Sequence, residues 1–219
     1  IPQRRAALVT SDLKLAARVR EELKRWDIDI DSSAGEPLNQ SPPGIFLNLC
    51  LDYAENPHDH VALLSLVKHP LFRVRQPVGV LRKEIRWFEK TVLRGKNEFR
   101  YPSPAHSLRE FTPSPLVGEG GPEGRVRGLN QLQTLLHPFT TLGKTPFSQL
   151  LERHHKLAES LAMDDQGMCQ LWKGGRGEAL KSFMEDLKRA ASDFPPLTLQ
   201  EYALVFKEFM AGQSLRFRP

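Results

Sequence analysis

The chain has 219 residues, 40% of them hydrophobic and 26% charged, which is the composition of ordinary folded domains and excludes a fibrous or low-complexity polymer. No apolar run approaches the roughly 18 residues of a membrane span, and no apolar core of signal-peptide length follows the N-terminus. The net charge of +5 and pI near 9.3 are a mild footprint for polyanion binding, so the distribution of charge matters more than its total.

Residues 6–10 (Ala-Ala-Leu-Val-Thr) are a short apolar run that predicts a buried strand. Thr10 or Ser11 is placed to cap the next helix, with Asp12 in its first turn. Leu15, Val19 and Leu23 recur every four residues in that helix, which should end near Trp26. Residues 27–31 alternate strictly between Asp and Ile and predict a strand with one wet face. Strand, helix and strand open a parallel α/β unit, but two strands alone make no stable sheet.

Helical signals follow. Ser41-Pro42 is a cap with proline at the first helical position. It opens a helix through Phe46, Leu47, Leu49, Cys50 and Tyr53. Another runs from about Asp59 to Val67 and stops at Pro70. A third covers about 78–93, with Leu81, Ile85, Phe88 and Val92 in one stripe. Glycine and proline dominate 112–128, within a patternless stretch of about 95–128 that predicts an exposed loop. That run is similar to translated short palindromic DNA repeats, which reads as an insertion without function; a functional loop is the alternative. Helices are predicted again at 129–139, from Thr145-Pro146 to about Met163, over 178–191, and over 199–210 behind a Thr198–Glu201 capping box, with Gly212 closing the last.

The basic segment 73–100 is the leading functional candidate. Arg73, Arg75, Arg82, Lys83, Arg86, Lys90, Arg94, Lys96 and Arg100 face only Glu84, Glu89 and Glu98, a surplus of six over the segment against +5 for the whole chain. Arg82, Arg86 and Lys90 fall four apart on one helix face, with Lys83 beside them, so they can follow a phosphate backbone and displace its counterions. Trp87 stands next to Arg86 and could stack on a base; the plainer reading makes it core. Other patterns are weaker. His154 and His155 are adjacent and point about 100° apart, which suits a core histidine better than metal chelation. Asp164-Asp165 reads as a helix end, and the glycine-rich 173–177 as a turn that starts the next helix. Cys50 and Cys169 read as buried thiols in a reducing cytoplasm rather than a disulfide or zinc framework.

Two segments carry a resemblance. Residues 8–12, 15–19, 23–26 and 28–38 are similar to the AddB subunit of the AddAB helicase–nuclease in its alphaproteobacterial form. Residues 56–64 with His69-Pro70 resemble the segment of UvrD-like helicases that enters a helical subdomain inserted in the second motor domain. Pro146-Phe147, Leu151, His154, 157–159, Leu171-Trp172 and 177–180 match the same pattern. The resemblance implies an internal piece of a longer chain. Residues 1–40 would be the partial strand–helix–strand start of the second RecA-like domain, and 41–219 its inserted helical subdomain of about seven helices, with 95–128 as the loop insertion. The expected fold is mainly α. Both ends, with no initiator Met and nothing after Arg218-Pro219, then read as cuts.

The implied function is to hold or guide DNA during ATP-dependent end resection for homologous recombination, beside an AddA-type partner in the cytoplasm. No G-x-x-x-x-G-K-[ST] loop and no nuclease-like carboxylate cluster occurs, so the resemblance assigns helicase and exonuclease activity, ATP, magnesium and any iron–sulfur cluster to other parts of such complexes. An arginine that reaches nucleotide phosphates in active helicases falls near Arg18, although the register puts Ala17 there. The rival readings are a stand-alone helical interaction module with a basic face and a small α/β enzyme; the enzyme lacks a base to activate Thr10, Ser32 or Ser33.

Overall fold

Asp12, rather than Thr10 or Ser11, starts the first helix. Its carboxylate accepts from the N–H groups of Lys14 at 2.8 Å and Leu15 at 3.1 Å, and helix α1 runs Leu13–Lys24. The helix is stopped by Asp27 in the left-handed region at φ 58°, with the Asp27 N–H on Lys24 O and the Ile28 N–H on Leu23 O. That pair of bonds is a Schellman stop, and aspartate is among the few residues besides glycine that tolerate it. The stop uses two of the residues expected to begin a strand. Neither residues 6–10 nor the described residues of 27–31 form a strand in this computed structural model, which describes residues 6–28, 30, 35–93, 128, 131–132, 134–136 and 143–215. Alternation is a local preference, whereas a ladder needs a neighbouring chain to accept its hydrogen bonds.

The chain divides into two units, one reaching Glu36 and one spanning Pro37–Leu215. In the first, no side chain described before Glu36 is buried; Val9 is 94% and Trp26 78% exposed. A helix of α1's length without a packed face is marginal in water. Its amides are therefore expected to exchange with deuterium within the first seconds to minutes, far ahead of the buried helices described below. Hydrogen-exchange mass spectrometry checks this, and equal protection would mean that α1 is held by packing.

The second unit is helical and is framed by a two-stranded sheet, β1 (Glu36–Pro37) with β2 (Ser214–Leu215). Helix α2 spans Pro42–Glu55, capped by Ser41, whose hydroxyl accepts from the Gly44 N–H at 3.3 Å. Apolar residues occupy most of its circumference, which marks a helix buried on nearly all sides. It packs against α3 (His60–Lys68, capped by Asp59), α5 (Phe147–Ala162), α6 (Gly174–Ala190) and α7 (Leu199–Ala211). Helix α4 (Val78–Phe88) touches α3 and runs on as a π-helical turn, Glu89–Leu93. The widened turn ends the regular stripe expected to reach residue 93. The residues described in the stretch 128–136 are helical as well.

The core is continuous. Phe46, Leu47 and Leu51 of α2 meet Phe147, Leu150 and Leu151 of α5 and Tyr202 and Phe206 of α7, all fully buried. Burying one such side chain contributes about 1.5–3 kcal/mol. A bridge between Thr145 and Leu197 sets the start of α5 beside the start of α7, where Thr198 and Glu201 form the expected capping box. Helix α6 begins four residues earlier than the pattern at 178 suggested, because the glycine-rich 174–177 is its first turn. Gly177 lies against the Trp172 backbone, where a Cβ would come within 2.3 Å of a carbonyl carbon.

Candidate nucleic-acid interface

Helix α4 has two faces. Leu81, Glu84, Ile85 and Phe88 are buried, while Arg82, Lys83 and Arg86 lie on the opposite, exposed side. Three of the four buried residues are apolar; the fourth is a carboxylate, and it has partners. Glu84 Oε1 accepts from the Gly128 N–H at 2.7 Å. The Gln76 amide, oriented to suit its neighbours, donates to Glu84 Oε2 at 3.1 Å and accepts from the same Gly128 N–H at 2.8 Å. A buried carboxylate needs such donors, since leaving it unsatisfied would be costly. The sequence carried a signal for this: Glu84 sits three residues after Leu81 and four before Phe88, on the apolar stripe rather than the basic one.

The other carboxylate of the helix end is also occupied. Glu89 binds Lys68 at 2.6 Å. Arg82 Nη1 donates to Lys68 O at 2.9 Å, so this arginine caps the C-terminus of α3 as well as adding charge. His69 lies beside it. Burial, and then the Arg82 charge, lower the imidazole to about 4, so it stays neutral near pH 7. Its Nδ1 accepts from the Leu71 N–H at 3.2 Å. What remains on the outer face is positive: Lys83, Arg86 and Lys90 are exposed and have no acidic partner among the described residues. Lys90 stands in the π-helical turn, so it departs from the strict four-residue line with Arg82 and Arg86.

Just before α4 the chain makes a strained turn. Val74 and Arg75 are both left-handed, at φ 46° and 57°. For a β-branched valine this is a true outlier. Three backbone bonds hold it, from the Arg73 and Val74 N–H groups to Leu161 O at 2.8 and 3.0 Å, and from the Arg75 N–H to Met163 O at 2.7 Å. Val74 is buried, Arg73 is half-buried and Arg75 is exposed. Trp87 is half-buried and packs against the core. Arg94 and Lys96 lie outside the described residues. Arg18 is exposed on α1.

The remaining candidates fall to structural roles. His154 is fully buried, with Nδ1 3.0 Å from the Tyr202 hydroxyl and Nε2 3.1 Å from Leu47 O. The carbonyl can only accept, so the Nε2 carries the proton and Tyr202 donates to Nδ1. His155 turns elsewhere, to Glu159 at 3.1 Å, and stacks on Trp172. Trp172 Nε1 donates to the same Glu159 carboxylate at 2.7 Å. Among the described residues no three His, Cys, Asp or Glu side chains are grouped to hold a metal ion. Asp164 accepts from the N–H groups of Gln166 and Met168 at 3.0 and 2.8 Å and closes the turn after α5. Burial raises the thiols of Cys50 and Cys169 above the usual range, and both are free.

An open groove of about 650 Å³ lies between α2 and α3, lined by Leu49, Asp52, Glu55, Asp59 and Val61 among others. Lys207 of α7 bonds Asp52 at 2.7 Å and Glu55 at 3.1 Å. The carboxylates that line this groove are the wrong sign for a phosphate backbone. No helix among the described residues is long and apolar enough to cross a membrane. No family model, no curated protein and no solved structure matches the chain.

Proposed function

We propose that this chain is a piece of an AddB-type DNA-repair subunit, and that it holds DNA through the outer face of α4. In this reading residues 1–40 begin the second RecA-like domain and the helices after them form its inserted subdomain. ATP hydrolysis and strand cleavage belong to other parts of the complex and to an AddA-type partner. One observation carries the DNA role. Of the two carboxylates described between residues 73 and 90, Glu84 is buried and Glu89 is bound to Lys68, while Lys83, Arg86 and Lys90 face outward. A face left with one sign of charge attracts a polyanion, and each phosphate it neutralises steepens the salt dependence by about 0.9 in slope.

The test is to replace Lys83, Arg86 and Lys90 together with glutamate. Binding to an oligonucleotide at about 50 mM salt is expected to fall at least tenfold, and the slope of log K against log salt to flatten by roughly two to three. Fluorescence anisotropy over a salt series measures both. An unchanged slope with intact helical circular dichroism would remove the α4 face from the proposal.

A further inference from the structure

We infer that the strained turn at Val74–Arg75 and the outer face of α4 act as one clamp on the phosphate backbone of duplex DNA, without base contact. The inference rests on the nucleic-acid reading of that face and narrows it to one substrate form and one added contact.

Strain is the first observation. Two successive non-glycine residues in the left-handed region persist only where the surroundings over-determine them. Here three N–H groups are anchored on the end of α5, and the Val74 side chain is buried. The side chain this turn delivers to the surface is Arg75. Gln76, the next residue, is buried and bonded to Glu84 of α4 and to Gly128. Arg75 is therefore fixed relative to the helix that carries Lys83 and Arg86, rather than swinging on a free loop. Glu84 and Gln76 are positioning residues in this arrangement, and Arg75 is the contact.

The second observation is that, among the described residues, no aromatic ring on this face is fully open. Proteins that hold single strands without sequence preference combine positive charge with open aromatic rings. Around this face Trp87 is half-buried against the core, Phe72 and Phe88 are buried, and the His69 ring lies on Phe46. Lys83 and Lys90 are separated by roughly 10 Å along the helix at 1.5 Å per residue, about three steps of one DNA strand at 3.4 Å each. Cations repeated along one helix face suit the regularly spaced phosphates of a duplex and carry no sequence information.

The experiment uses the full chain with fluorescein-labelled duplexes of about 20 base pairs, one rich in A·T and one rich in G·C, and with one single strand of the same length. The unmodified chain is expected to bind both duplexes within about twofold of each other and the single strand more weakly. Arg75→Gln should flatten the salt slope by about one on both duplexes, and Arg75→Lys should restore it. If Arg75→Gln leaves the slope unchanged while the triple glutamate variant still weakens binding, the clamp is overturned and the α4 reading stands. Tighter binding to the single strand, or a preference of tenfold or more between the duplexes, also overturns the clamp. If the triple variant binds like the unmodified chain, the underlying reading fails and the clamp with it.

Discussion

Lowering the pH from 7 to 4.5 is expected to cost the helical unit roughly 2–3 kcal/mol of stability through His154. The side chain is fully buried between α2 and α7, and burial lowers its imidazole from 6.5 to about 3. The folded form therefore keeps a neutral ring while the unfolded chain takes up a proton. Above about pH 6.5 neither state is protonated and the contribution is intact. As the pH falls below that value the unfolded state gains about 1.4 kcal/mol per unit, until the folded pKa is reached near 3. Stability is thus lost as the pH drops, with no loss on the alkaline side. His69, held at about 4 and only half-buried, pulls the same way with a smaller, solvent-screened effect. Glutamates begin to take up protons near about pH 4.5, and Glu152 and Glu201 are held below their usual range by hydrogen bonds, so the variant rather than the pH window isolates the histidine.

Urea denaturation at pH 7 and 4.5, followed by circular dichroism, measures the loss. The His154→Gln variant separates the residue from its neighbours. Glutamine can still donate to Leu47 O and accept from Tyr202, so it should fold, with reduced stability at pH 7 and a much flatter response to acid. A variant that loses as much stability on acidification as the unmodified protein would show that His154 is not the group responsible. An NMR titration in which the His154 ring protonates near 6.5 in the folded state would say the same.

The same residue shows what could be read from the sequence. Its place on the apolar stripe of α5 follows from four-residue spacing, and that spacing held. Its partners did not follow, because Leu47 and Tyr202 are 107 and 48 residues away. Helix starts at Ser41, Asp59 and Thr198 were legible because caps act within three residues. Among the described residues, the strands expected at 6–10 and 27–31 do not form, because local preference needs a distant neighbour: alternation cannot supply a ladder partner, and Asp27 serves as a left-handed helix stop. The candidate interface divides along the same line. The charge surplus of 73–100 is a matter of counting. That Glu84 turns inward depends on Gly128, which is 44 residues away. That Arg82 caps α3 depends on a carbonyl 14 residues back. The left-handed turn at Val74–Arg75 was hidden because both residues ordinarily avoid it, and only the anchorage on Leu161 and Met163 makes it visible.

Two glycines should answer the same substitution with opposite signs. In a helix interior alanine is favoured over glycine by about 1 kcal/mol, chiefly because it restricts the unfolded chain more. Gly79 stands exposed in the first turn of α4, and a Cβ there would meet nothing within 4 Å. Gly79→Ala is therefore expected to stabilise the protein by about 0.5–1 kcal/mol. Gly44 also stands in a first turn, that of α2, one position further in and in a different surrounding. A Cβ on it would lie 2.0 Å from Leu38 O and 2.9 Å from Leu38 C, with Met210 Sδ at 3.1 Å. A methionine sulfur can move aside. The Leu38 peptide cannot easily do so, since its N–H donates to Gln213 O at 2.9 Å and its carbonyl accepts from the Ser41 hydroxyl at 2.6 Å and the Ser41 N–H at 3.1 Å. Displacing Leu38 would strain the cap of α2 and the contact between the two ends of the helical unit together. Gly44→Ala is accordingly expected to cost about 3 kcal/mol or more, at the upper end of overpacking effects. Paired urea melts of the two variants decide the matter. A Gly44→Ala protein as stable as the unmodified one would mean that the 38–41 turn yields freely, and that α2 is not seated against Leu38 as tightly as the close approach requires.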